Sequence, residues 1–458
     1  MDEPEGASRA TTRISGRTAS DIADELRALI ERGDLAPGDR LPPVRALADE
    51  LGVNRNTAVS AYRQLAHAGL VVSQGRGGTR VAPPASTPQE GYAGERELRD
   101  VGTGNPDPAR IPDRGAALAS LAGTPVLYGE PVIDPGLADW ADESLSPDAP
   151  SDMRLTVTGG AFDAVERLLA QALVRDDAVA IEDPCFLATL RTVRLAGYRP
   201  VAVPVDDEGM TVEGLRAALD AGVRAVLCTP RAQNPTGASL SEERARRLRG
   251  VLAEHPDVLV IEDDHFSLLA RAPYRSLIAP GRRRWALVRS VSKFLGPDMS
   301  LALVASDPAT ADRLALRLSP GTTWVSHLLQ RLSHAMLTDD GALRTIASAG
   351  AHYARRNAAF AELLRERGFD AAARDGLSLW VPLPAAAAEV AARLATRGWI
   401  ARVGDDFQVE APESSRHLRL TVHPLDDADA RRLADDLAAS CEEAVRAGDQ
   451  RGQASATA

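Results

Sequence analysis

Trp285-Ala286-Leu287-Val288-Arg289-Ser290-Val291-Ser292-Lys293 begins as an apolar run, turns polar and ends on a lysine. The apolar part reads as a buried strand and the polar part as the loop at its C-terminal end. Lys293 is the single lysine among the 53 Lys and Arg residues of this 458-residue chain. An arginine guanidinium stays protonated in a protein, whereas a lysine amine loses its proton when desolvated and then condenses with an aldehyde. A chain that uses arginine for charge everywhere else has no need of lysine for that purpose. One stray surface lysine in an arginine-biased composition is the plain alternative. The position at the mouth of a buried strand favours a nucleophile.

Around that strand, short apolar runs alternate with helical periodicity. Leu155-Thr156-Val157 precedes a helix over 161–174, a strand over 178–181 precedes a helix over 187–196, and Ala225-Val226-Leu227 precedes a helix over 241–253, followed by a strand over 258–261. Alternation of this kind predicts an α/β body with a mostly parallel sheet, in which ligands sit at strand C-terminal ends. The chemically interesting residues fall at those ends: Thr158-Gly159-Gly160, Asn234-Pro235-Thr236-Gly237, Glu262-Asp263-Asp264 and Lys293. Each is ordinary alone. Two glycines before a helix usually make a packing turn, Asn-Pro-Thr-Gly is a common turn, and acids at a strand end are commonly caps or solvated.

Bulk properties set the frame. The length suggests about two to four folding units. The acidic start Met1-Asp2-Glu3-Pro4-Glu5-Gly6 has no apolar h-region, and no apolar run approaches the roughly 18 residues that span a bilayer, so a cytoplasmic protein with no membrane partner is expected. Cys185, Cys228 and Cys441 are widely separated and include no CxxC pair, which indicates neither a disulfide framework nor a cysteine zinc site, and no metal is expected. A net charge of −11 argues against wholesale polyanion binding while leaving room for a local basic face.

Such a face lies near the N-terminus. Ile22, Leu26, Leu29 and Ile30 recur at helical spacing within 20–32; a second short helix is predicted over 43–51, closed by Gly52; a third opens at the N-cap Asn54 and would bury Val59, Tyr62 and Leu65. Leu70-Val71-Val72-Ser73 and Thr79-Arg80-Val81 read as two strands around the turn Gln74-Gly75-Arg76-Gly77-Gly78, a β-hairpin wing. From Arg40 to Val81 the chain holds six arginines against two acids, a balance of +4 in an acidic protein. Asn54-Arg55-Asn56-Thr57 would present polar side chains and free backbone N–H groups to a major groove; a solvated arginine face is the alternative.

Leu35-Ala36-Pro37-Gly38-Asp39-Arg40-Leu41-Pro42, Arg45-Ala46-Leu47-Ala48, Leu51-Gly52-Val53, Ala61-Tyr62 and Gly75-Arg76-Gly77 together resemble the winged helix-turn-helix of GntR-type bacterial regulators. The resemblance implies DNA contacts by Arg45, Arg55, Asn56 and Thr57 and, in the wing, by Arg76 and Gly77. The wing departs from the pattern in Gly77-Gly78-Thr79-Arg80, which carries an extra glycine and an arginine. The reading places this domain at 15–82, a proline- and serine-rich linker at 83–100 and the α/β body at 101–446.

In their order and spacing, the strand-end motifs of the body resemble the fold-type I aminotransferases that bind pyridoxal 5′-phosphate, with a large domain and a small C-terminal α+β region from about Ala309 onward. The resemblance implies that Lys293 forms the internal aldimine, Asp263 pairs with the pyridine nitrogen and Asn234 with the ring hydroxyl oxygen. It places Phe186 on the ring face, a position equally suited to a core aromatic, and Gly160, Ala161 and Ser290 around the phosphate, with Tyr128 reaching over from a second subunit. Arg419, in Leu418-Arg419-Leu420, matches the arginine that grips a substrate carboxylate, against the alternative of a surface strand arginine. Two departures stand out. The family's phosphate-binding arginine, seven residues after the lysine, is here Ser300; the family tyrosine near the ring hydroxyl is His265, or Phe266 if the alignment shifts by one. A charge-assisted hydrogen bond is worth about 1.5–3 kcal/mol, so cofactor affinity would fall roughly ten- to a hundredfold unless Arg231 or Arg289 compensates.

A GntR-like reader followed by an aminotransferase-like body resembles the MocR subfamily of transcription factors. The implied function is a pyridoxal-phosphate-dependent regulator that binds operator DNA as a head-to-tail homodimer and senses an amine or amino acid through external aldimine formation. The competing reading is an active aminotransferase with an N-terminal DNA-binding domain.

Overall fold

The computed structural model describes residues 14–73, 78–82, 98–121, 125–319, 323–410 and 414–456, which divide into two compact units that part between Gln89 and Glu90. Arg76, Gly77 and most of the stretch read as a linker lie outside the described residues. Among the described residues no helix is long and apolar enough to cross a membrane.

The N-terminal unit contains α1 (Ala19–Glu31), α2 (Val44–Leu51) and α3 (Arg55–His67), then β1 (Val71–Ser73) and β2 (Thr79–Val81), which pair antiparallel. Helix α1 starts at a capping box in which Thr18 and Asp21 satisfy each other's backbone N–H groups. Gly52, with φ of +65°, takes the left-handed turn that ends α2 and aims α3 away from it. Ile22, Leu26, Leu29, Leu47, Tyr62 and Leu65 share one core, and the Tyr62 hydroxyl donates to the Pro42 carbonyl at 2.7 Å. Val59 is only half-buried; Ala58 and Ala61 fill the expected place, because close packing against α1 and α2 favours small side chains there.

The second unit opens with β3 (Arg99–Asp100), which pairs with β13 (Trp399–Ile400). The stretch read as linker to residue 100 therefore ends in ordered structure. The large sheet runs β4-β11-β10-β9-β8-β5-β6-β7, with β4 (Arg154–Thr158), β5 (Ala178–Asp183), β6 (Arg199–Asp206), β7 (Gly209–Met210), β8 (Ala225–Cys228), β9 (Leu259–Asp264), β10 (Trp285–Ser290) and β11 (Ala302–Ser306). Strands β5, β6, β8, β9 and β10 are mutually parallel, while β11 runs antiparallel between β10 and β4. Two reversals restore the direction, so the C-terminal ends of β4, β8, β9 and β10 share one edge. Wholly buried strands such as β10 read as continuous apolar runs because helices cover both sheet faces.

The smaller core begins later than Ala309. Helix α11 (Pro308–Leu318) packs with the large sheet's core through Leu314 and Leu318, and α12 (His327–Leu337) adds Leu332 and Met336 to the large domain. The second core starts at Phe360, within the long helix α13 (Asp340–Arg365), and takes in Val101 from the start of the unit. It is completed by β12 (Leu379–Pro382), α14 (Ala387–Thr396), β14 (Arg402–Val403), β15 (His417–Leu420) and α15 (Asp427–Ala456), with sheet order β12-β15-β14.

Candidate functional site

In the N-terminal unit, the Asn54 side chain caps α3 by accepting the Asn56 backbone N–H at 2.8 Å. Arg45, Arg55 and Asn56 are exposed and Thr57 is half-buried, so the first turn of α3 and one side of α2 present polar groups outward. Arg80, counted from sequence in the basic face, donates to the Gly38 carbonyl at 2.8 Å and ties the wing to the loop before α2.

In the second unit the strand ends gather a cleft. Lys293, on the short helix α10 (Ser292–Leu295) after β10, lines it with Gly104, Asn234, Gly237, His265 and Phe266. Asp263 is the last residue but one of β9 and lies close enough to feel the Lys293 charge. Burial and the adjacent Asp264 raise the Asp263 pKa to about 7 against the opposing charge of Lys293. Its Oδ1 is buried with no hydrogen-bond partner among the described residues. Burial and Lys293 push the His265 imidazole down to about 4, so it is neutral at physiological pH.

Arg419 on β15 is fully buried. It donates to Asn234 Oδ1 at 3.2 Å and to the Gly102 carbonyl at 2.7 Å, and its guanidinium lies 5.0 Å from the Phe407 ring centroid. It is not a surface strand arginine. Lys293 Nζ donates to the Gly104 carbonyl at 3.3 Å, so one strap, residues 102–104, touches both cations. The strap is held by Gly104 N–H donating to Thr421 Oγ1 at 3.0 Å and by Thr421 N–H donating to the Val101 carbonyl at 2.6 Å. Sequence reasoning missed the strap and Phe407. The only available signal was Gly102-Thr103-Gly104, which sat against a domain boundary.

Gly160 and Ala161 open α6 (Ala161–Ala172) at the end of β4, where Gly160 adopts φ of +101°. Ser290 is buried and its hydroxyl accepts the Ser292 N–H at 3.2 Å. Phe186 stacks on Phe162, with centroids 5.6 Å apart, and is half-buried. Tyr128 is 88% exposed and lies against Trp324. Arg231 and Arg289, the two arginines offered as compensation, are engaged with a carboxylate. Both hold the fully buried Asp264, Arg231 at 2.7 and 2.8 Å and Arg289 at 2.8 Å, and Arg289 also binds Asp148 at 2.8 Å. Burial raises the Asp264 pKa, yet the two arginines outweigh it and hold the carboxyl below its ordinary value.

The gntR family of bacterial regulatory proteins matches residues 18–81, and aminotransferase class I and II matches residues 116–437. Over 425 residues the chain is 46% identical to the Vitamin B6 salvage pathway transcriptional repressor PtsJ of Salmonella typhimurium, across 93% of this chain and 98% of that protein. The chain belongs to the MocR-like regulators of the GntR family. It is 26% identical to the probable rhizopine catabolism regulatory protein MocR of Rhizobium meliloti, over 79% of this chain and 78% of that one. The kynurenine aminotransferase of Pyrococcus horikoshii shares the fold, with a TM-score of 0.69 and 22% identity over 76% of this chain and 92% of that chain. A MocR-like protein is thus a transcription regulator whose body belongs to a pyridoxal-phosphate-dependent family.

The residues present fit that cofactor. A buried acceptor without a donor costs about 1–3 kcal/mol, and a protonated pyridine nitrogen is a donor suited to Asp263 Oδ1. Lys293 supplies an amine close enough for its charge to act on Asp263, and Gly160, with φ of +101°, takes a backbone conformation that favours glycine at the turn before α6.

Proposed function

We propose that this MocR-like chain represses transcription by binding operator DNA through α2, α3 and the wing, and that its body converts ligand occupancy into a change of DNA affinity. Arg45, Arg55, Asn56 and Thr57, with Arg76 and Gly77, make the DNA contacts. In the body, Lys293 and Asp263 hold pyridoxal phosphate, with Asn234, Phe186, His265, Gly160, Ala161 and Ser290 around it. Arg419 grips the carboxylate of an amine or amino-acid effector. When bound, the cofactor supplies an aldehyde that exchanges one primary amine for another. Lys293 provides the resident amine; Arg419, already charged and buried, orients an incoming carboxylate; neutral His265 does not repel an incoming ammonium.

The observation that carries this reading is that Lys293 and Arg419 both donate to one strap of backbone, residues 102–104. The name of the 46%-identical relative suggests the genes of vitamin B6 salvage as the target. The reading includes a cytoplasmic head-to-tail homodimer in which the exposed Tyr128 serves the neighbouring subunit's site. The test is a mobility shift with the full-length protein and DNA upstream of vitamin B6 salvage genes, titrated with pyridoxal phosphate and then with amino acids. Ligand-dependent DNA affinity that is lost in Lys293→Ala supports the reading. Sustained turnover of amino and keto acids, with DNA affinity indifferent to both, favours the aminotransferase.

A further inference from the structure

The end of the cleft where a phosphate would lie is short of positive charge. Ser300 stands where the family has an arginine, and its exposed hydroxyl donates to the Gly159 carbonyl at 2.9 Å. A Cβ built on Gly160 would lie 2.9 Å from that hydroxyl, so Ser300 sits directly against the turn that opens α6. The first turn of α6 carries a carboxylate: Asp163 accepts the Gly159 N–H at 3.0 Å, removing one backbone donor, and pairs with Arg167 at 2.5 Å. Arg167 also donates to the Arg317 carbonyl at 2.9 Å, and Arg231 and Arg289 are held on Asp264. The neutral donors are partly committed to one another: the Ser292 hydroxyl donates to the Met299 carbonyl at 3.2 Å and its N–H to Ser290. A doubly charged phosphate placed there would meet hydroxyls, N–H groups and the already neutralised Asp163–Arg167 pair rather than an uncommitted guanidinium. Charge-assisted hydrogen bonds are roughly twice as strong as neutral ones, so the phosphate end contributes little to affinity. The ring end is the opposite case, with a buried Asp263 Oδ1 that has no donor among the described residues, coupled to Lys293, and with Lys293 and Asn234 lining one cleft.

We infer that this site recognises the 3-hydroxypyridine ring far more than its phosphate, and that it admits unphosphorylated vitamin B6 compounds alongside the phosphorylated ones. The inference rests on the proposed function and adds a ligand class to it: the site reports the total pool of ring compounds, not the phosphorylated cofactor alone. Ser300 and Asp163 set that selectivity.

The test uses a matched pair without aldehyde chemistry, pyridoxamine 5′-phosphate and pyridoxamine, titrated calorimetrically into the full-length, cofactor-stripped protein. The expected ratio of affinities for the natural chain is below about tenfold. Ser300→Arg should strengthen pyridoxamine 5′-phosphate binding by about ten- to a hundredfold, one restored charge-assisted contact, while pyridoxamine is unchanged. Asp163→Asn should move the same ratio the same way by a smaller factor. A natural ratio above about tenfold, or a Ser300→Arg protein that binds both compounds as before, overturns the inference and leaves the regulator reading intact. Failure of both compounds to bind the natural chain removes the cofactor site itself and with it both readings.

Discussion

Asp263 and Asp264 are neighbours in sequence with opposite environments. Strand alternation points them to opposite faces of β9: Asp264 meets two arginines and is held as a carboxylate, while Asp263 lies on the face towards Lys293 and has its pKa raised to about 7. The sign of the consequence follows from proton counting. Between the ordinary 3.8 and about 7 the folded state binds more protons than the unfolded state, so the cofactor-free body should lose stability as pH rises through that window. Asp263→Asn should remove this loss and make the cofactor-free protein more stable at pH 8 by about 1–3 kcal/mol in urea titrations, while weakening pyridoxal phosphate binding. An Asn variant no more stable at pH 8 than at pH 5, relative to the natural chain, would show that Asp263 is not a strained buried acid. His423 acts in the other direction. Burial lowers its pKa to about 4, and Nε2 lies 2.9 Å from the Asn105 carbonyl. Between about 4 and 6.5 the unfolded state binds more protons, so this contribution is complete above 6.5 and lost as pH falls towards 4. His423→Gln should flatten the acid limb of the stability profile.

At the scale of elements, the reader's geometry depends on how α3 begins. Asn54→Ala removes the cap on the Asn56 N–H and should cost the N-terminal unit about 1 kcal/mol, with little change in the body. Arg55→Ala should leave stability unchanged and lower the salt slope of DNA binding by about 0.9 if Arg55 meets a single phosphate; an unchanged slope would take Arg55 out of the interface. These elements were legible because their signals are local: caps, glycine stops and short periodic runs name the helices directly. The strand ends were legible for a related reason, since buried parallel strands leave continuous apolar runs and the motifs follow them. What could not be read was long-range. Strand β11, antiparallel between β10 and β4, has no local mark of its direction, and the strap at 102–104 reaches Arg419 and Thr421 across some three hundred residues of chain. The commitment of Arg231 and Arg289 to Asp264 was equally hidden, because a free and a paired arginine are the same letter.

At the scale of the molecule, an acidic chain with net charge −11 carries a reader whose 40–81 stretch has more arginines than acids, so the charge needed for DNA is confined to a small unit with its own core. Ile22, Leu26, Leu47 and Leu65 are fully buried within that core, and the body's cores are built from other residues. Two units with separate cores should unfold in two calorimetric transitions, the smaller one belonging to the reader. A ligand that binds the native body alone stabilises that body by mass action, about 2.7 kcal/mol at a hundred times its Kd. Pyridoxal phosphate should therefore raise the larger transition by a few degrees and leave the smaller one in place, while Lys293→Ala should reduce the rise. On the proposed function, the reader would then change its DNA affinity without any change in the stability of its own fold. If both transitions move together on adding ligand, the reader's core draws on the body for stability, and its independence as a folding unit is lost.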